Sequence, residues 1–276
     1  MTTAREDRLP GGGGWFVVLV APGRIPSART AEVGGLLGEA CQMPFADGTR
    51  AAHRCQGVIP IDLTEPEAER IVNGLHDLGF GASRVRASEL EPLPAVVECR
   101  QAAMDAERFM PVLGEGPEAG EWPWADVAVV CVGEIETVTT SVKTTQGTSV
   151  GRVLGAAALG ALCGLPLPLP RQTSTVRQET VESKLLLDIV TRSPMMRFRI
   201  NSMRFDYSVL GEGKAMSHLL NFTALVRMLI PLAWAAATNV TPEVLAASPM
   251  HPWEKFDETP EFEARARWLL HIGRRA

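Results

Sequence analysis

The sequence predicts an α+β protein of two domains. A small β-α-α-β-α-β sandwich spans residues 15–90, and an antiparallel, β-rich barrel ending in a helix spans 123–248. Three observations predict this. Short apolar or alternating runs such as "WFVVLV" and "MMRFRI" occur between stretches with helical spacing, so both kinds of element share the chain. At 276 residues the chain exceeds one ordinary core, since domains cluster near roughly 100–150 residues. Finally, residues 91–122 begin with spaced prolines and end in a Gly/Pro/Glu cluster, which reads as a semi-rigid linker.

The elements follow in order. "WFVVLV" is a buried strand by its continuous apolar run. "TAEVGGLLGEAC" is a helix because Val33, Leu36, Leu37 and Ala40 share a face, and "FADGTRAAHRC" is a second, shorter one. "GVIPIDL" reads as a strand. "TEPEAERIVNGLHDLGFGA" carries a set of helix signals: Thr64 as cap, Pro66 and three Glu residues in the first turn, and Gly79 at the stop. "SRVRAS" closes the unit as a third strand.

This order, and above all "LTEPEAERIVNGLHDLGFGASRVRA", resembles the C-terminal domain of the bacterial ribosomal stalk protein and the substrate adaptor of the Clp protease, which shares that fold. The resemblance implies the fold and puts His53, in "AHRCQG", near the position of a peptide-contacting histidine. After the first strand "VAPGRIPSART" lacks the Asn-Asp pair with which that adaptor grips an N-terminal amine, so that ligand is not implied.

In the second domain, "WADVAVVCVGEIETVTTSVKT" suggests two strands around Gly133, followed by strands in "STVRQETVESKLLLDIVT", "MMRFRI" and "SMRFDYSVL". The alternation changes phase at Asn201–Ser202, which places a tight turn or bulge there. "SHLLNFTALVRMLIPLAWAAA" is an apolar helix that ends or kinks near Pro231. Strands closed by one long apolar helix are similar in layout to a pleckstrin-homology-like barrel. Residues 249–276 read as a helical tail.

Charge and motifs bound the function. The net charge is −5, yet residues 137–204 hold nine basic residues against Glu179, Glu182 and Asp188. Lys143, Arg152, Arg171 and Arg177 within that stretch could meet an anionic ligand such as a lipid headgroup. Basic residues are not interleaved with aromatics, which argues against nucleic acid. "GTSVG" places Ser149 in a nucleophile-elbow pattern, with Asp206 and His218 or His251 as triad partners, but "TVTTSVKTTQ" before it is polar where an elbow needs a buried strand. The apolar tract 153–170 is uncharged, yet its "PLPLP" end cannot continue a helix, so it is too short to span a bilayer and reads as interior packing. Tyr207 reads as a core residue whose hydroxyl finds a partner at the sheet edge.

Five cysteines without a C-x-x-C pair read as reduced thiols of a cytoplasmic protein, and the start of the chain lacks a signal-peptide layout. The histidines lack ligand spacing, so no metal is expected; "GGGG" at 11–14 precedes a strand instead of a helix, so no phosphate loop and no cofactor is expected either. The expectation is a non-enzymatic adaptor that binds a protein partner or a second copy of itself through a sheet edge. Binding to an anionic membrane surface and a Ser149 hydrolase are the alternatives.

Overall fold

A computed structural model describes residues 14–20, 23–112, 120–147, 172–247 and 253–274. The fold is α+β with several sheets. In chain order the strands are β1 (Trp15–Leu19), β2 (Ala82–Arg86), β3 (Val96–Glu98), β4 (Gln101–Met104), β5 (Arg108–Val112), β6 (Trp122–Pro123), β7 (Val127–Gly147), β8 (Gln172–Thr191), β9 (Arg197–Asn201), β10 (Ala237–Thr238) and β11 (Glu254–Phe256). The α-helices are α1 (Thr30–Cys41), α2 (Phe45–His53), α3 (Glu65–Asp77), α4 (His218–Leu232), α5 (Pro242–Ala247) and α6 (Thr259–Gly273). The chain divides into two compact units, one of residues 1–135 with 184–276 and one of residues 136–183. In the smaller unit the described residues are strand, belonging to β7 and β8.

The larger unit is layered by strand alternation. In β1, Val17 and Leu19 face the apolar stripes of α1 (Val33, Leu37) and α3 (Ala68, Ile71, Leu75), while Val18 joins a different cluster with Val85, Trp268 and Leu269. In the main sheet, ordered β10-β7-β8-β9-β3, the same alternation separates two faces. Leu185, Leu187, Ile189, Phe198 and Ile200 pack with α4. Cys131, Ile135, Leu186 and Val190 pack with Phe262, Ala266 and Trp268 of α6. The sheet is therefore covered by a helix on each side.

The helix signals at α3 act as read. The Glu67 carboxylate accepts the Thr64 N–H at 2.8 Å, Pro66 lies in the first turn, and Gly79 adopts φ +80° just beyond the end. Several other segments differ from the sequence reading. "GVIPIDL" forms only isolated bridges to β1, Val18 with Val58 and Trp15 with Leu63, because Pro60 has no N–H to give a ladder and Gly57 sits at φ +96°. The first sheet thus has two strands, β1 and β2.

The predicted linker 91–122 holds β3, β4, β5 and most of the residues leading to β6, and Phe109 and Trp122 are core residues. β7 continues through Gly133, where a side chain would collide with the rings of Phe256 and Phe262. The pairs β10–β7, β11–β7 and β3–β9 are parallel, where the sequence reading has only antiparallel ones. "SMRFDYSVL" is a turn and a 3-10 segment (Tyr207–Gly213): Asn201 accepts the Met203 N–H on its side chain, and Asp206 caps the next turn through the Ser208 N–H. The expected helical tail is α6, and it is interior: Phe262, Ala266, Trp268 and Leu269 are buried.

Candidate binding surfaces

The cleft beside α6 arises from two chain segments that the sequence reading treats as connection and tail. Along α6, Pro260, Glu263, Ala264 and Arg267 recur at helical spacing and line one wall, while Phe262, Ala266, Trp268 and Leu269 turn into the core. Phe16 of β1 and Val58 face them. Leu90, Pro92 and Leu93, on the segment after β2, complete a cleft of about 430 Å³. Arg197 of β9 also lines it.

Two sets of charges surround it. Asp188 of β8 is fully buried, and it accepts Arg199 Nε on Oδ1 and Arg197 Nε on Oδ2, both at 2.8 Å. Glu263 Oε1 lies 3.1 Å from both guanidinium groups. The register explains the cluster: Asp188 is directly opposite Arg199, Val190 opposite Arg197, and all three charged residues occupy the α6 side of the sheet. Arg267 stands apart. Its Nη2 donates to Leu90 O at 2.8 Å and its Nε to Glu91 O at 3.2 Å, and burial lowers its pKa.

A second cleft of about 500 Å³ beside α2 is lined by Asp47, Arg50, Arg54 and Asp62 among others. Its arginines are partnered, Arg50 with Asp47 at 2.8 Å and Arg54 with Glu258 at 3.3 Å. His53, the predicted peptide contact, ends α2 exposed to solvent, with Nε2 3.8 Å from Asp257 Oδ2.

A third surface is formed by α4 and α5, which Arg227 joins by donating from Nη2 to Leu245 O at 3.2 Å. Large apolar side chains are exposed there: Met216, Leu220, Trp234 and Val244.

Of the other predicted site residues, Lys143 lies in β7 and Arg177 in β8, in the smaller unit. Ser149, Arg152, Arg171 and His251 lie outside the described residues. The Asp206 carboxylate accepts the Ser208 N–H and pairs with Lys214, which together hold its pKa below the usual carboxylate value; His218 is exposed at the start of α4. Tyr207 is buried, donates to Ser202 O at 2.9 Å, and has its pKa raised by burial. Among the described residues, no group of three or more His, Cys, Asp or Glu is placed to hold a metal ion, and no single helix is long and apolar enough to cross a membrane.

The cysteines are testable at once. Cys41, Cys55, Cys99 and Cys131 are buried, and desolvation pushes the thiols of Cys55 and Cys99 up to about 12. At pH 8 these two are thiols, the unreactive form. Expected result: in folded protein these four resist a disulfide reagent for hours and react within minutes in guanidinium, as mapped by mass spectrometry. Rapid native labelling of Cys55 or Cys99 would contradict their placement.

Compared with known proteins, the chain matches no family model, no curated protein and no solved structure.

Proposed function

We propose that this chain is a non-enzymatic binding protein that docks a protein partner on the surface of α4 and α5. The observation that carries the reading is Trp234, 77% exposed just beyond the end of α4. Beyond His218 at its first position, the exposed positions on the helix are Leu220, Arg227 and Pro231, and their spacing of seven and then four residues keeps them on one side. Trp and Arg are the side chains that most often anchor interfaces, because each covers a large area and retains a polar group for the partner. An indole left largely in water is costly to expose and gains free energy when covered.

Replacing Trp234 with alanine is expected to change folding stability by no more than about 0.5 kcal/mol, as for other surface positions. Partner binding is expected to weaken by about 2 kcal/mol or more, roughly thirtyfold, as at an interface anchor. The test places a photo-crosslinking amino acid at position 234 in cells of the native host. A single discrete adduct is expected, and its mass distinguishes another protein from a second copy of this chain. A folded protein that yields no adduct at 234, and whose alanine variant keeps every associated protein, removes the reading.

A further inference from the structure

Among the described residues, the cleft beside α6 contains one cation without a counter-charge. Glu91 offers Arg267 only its backbone carbonyl, because its carboxylate lies 2.5 Å from Arg274. Glu263, one helical turn before Arg267, is engaged by Arg197 and Arg199, which it shares with Asp188. Around the cleft, then, Asp188 and Glu263 balance Arg197 and Arg199, Glu91 balances Arg274, and Arg267 is left as a net positive charge. Its Nη1 has no acceptor among the described residues. A guanidinium half out of water with only neutral carbonyls as partners is in an unfavourable state, which its lowered pKa reflects. The remainder of the wall is apolar: Phe16, Val58, Leu90, Leu93 and Ala264.

We propose that this cleft binds an organic carboxylate carried on an apolar body, with the carboxylate on Arg267 and the body against Phe16, Val58 and Leu93. The guanidinium fork accommodates a carboxylate through two charge-assisted hydrogen bonds, and the half-dry surroundings strengthen them relative to water. A volume of about 430 Å³ fits the class of sites that take small molecules, apolar in lining with few polar groups that fix orientation. One unbalanced cation selects one carboxylate, and Glu263 on the same wall repels a second. The same chemistry is offered by a free monocarboxylic acid and by the C-terminus of a polypeptide that ends in an apolar residue. The site is separate from the α4–α5 surface, so either can fail without the other.

The experiment titrates full-length protein with 4-phenylbutyrate and its neutral amide, and with an octapeptide ending in leucine as free acid and as C-terminal amide, by calorimetry. Each acid is expected to bind at least tenfold more tightly than its amide. Arg267→Met is expected to remove that preference, Arg267→Lys to restore part of it. Because Arg267 also ties down the 90–91 carbonyls, Ala264→Trp serves as a second variant: it fills the cleft, leaves the charge in place, and is expected to weaken both acids tenfold or more. Tighter binding of the peptide acid identifies a polypeptide terminus as the source, and tighter binding of phenylbutyrate a free acid. Acids and amides that bind equally, no binding of any probe at millimolar concentration, or unchanged binding in both Arg267→Met and Ala264→Trp would each overturn the proposal.

Discussion

Asp188→Ala is expected to lower the stability of the fold by about 3–5 kcal/mol, the usual consequence of removing one partner from a buried ionic cluster. Asp188 has no exposed surface, and its two oxygens accept from Arg197 and Arg199 at 2.8–3.0 Å. Without it, two guanidinium groups on the dry side of the sheet share the single carboxylate of Glu263, which is itself part-exposed. Arg197 is nearly fully buried, so water cannot replace the lost acceptor. Asp188→Asn, which keeps the shape and removes the charge, is expected to be destabilising as well. The combination Asp188→Leu, Arg197→Met and Arg199→Met removes every stranded charge on the sheet and is expected to recover most of the loss. Urea unfolding of the variants measures this. A triple variant no more stable than Asp188→Ala would show that packing, and not uncompensated charge, is the cause.

The second large effect is expected at Gly57→Ala, at least about 3 kcal/mol, as the sum of strain at a positive φ and overpacking. Gly57 has φ +96°, and a Cβ there would lie 2.2 Å from Cγ of Trp268. The indole cannot give way. Its Nε1 donates to Leu19 O at 2.8 Å, Arg265 lies over its ring at 4.4 Å, and Gly23 abuts it from the other direction. A double-mutant cycle separates the two contributions. Trp268→Ala alone is expected to cost about 3–5 kcal/mol, as a large buried aromatic does. In that background Gly57→Ala should retain only the backbone cost, about 1–3 kcal/mol. Equal losses in both backgrounds would mean that the ring does not exclude the side chain.

Much of the fold was legible where a local signal decides the outcome. The helix from Glu65 to Asp77 was readable because its cap, its proline and its stop are all written within a few residues. Within the main sheet β7, β8 and β9 were readable from apolar runs and alternation, and so was the buried, hydrogen-bonded Tyr207. What was not legible depends on partners far along the chain. The short strands between 96 and 123 look like connection because each supplies only one or two core residues, such as Phe109 and Trp122, and their pairing with β9 or with one another leaves no periodic trace. "SMRFDYSVL" alternates like a strand, yet the side chains of Asn201 and Asp206 bond to nearby backbone and turn it into something else. The cleft escaped notice for the same reason. Pro260, Glu263, Ala264 and Arg267 are visible as a stripe on a helix, but nothing local tells that Leu90 and Phe16 lie opposite. Four of the residues singled out from motif and charge, Ser149, Arg152, Arg171 and His251, lie outside the described residues; Lys143, Arg177 and His53 are placed on strands or at a helix end.

The bond from the Trp268 indole to Leu19 joins residues 249 positions apart. A ribosome that adds roughly 5–20 residues each second needs on the order of 10–50 s to travel that distance. For most of that interval the first strand and the Gly57 turn are already made, with their packing partner still to come. Val18, Val58 and Val85 share their core with Phe262, Trp268 and Leu269, so they stay uncovered until α6 is made, and the timing of synthesis is part of how this molecule reaches its native state.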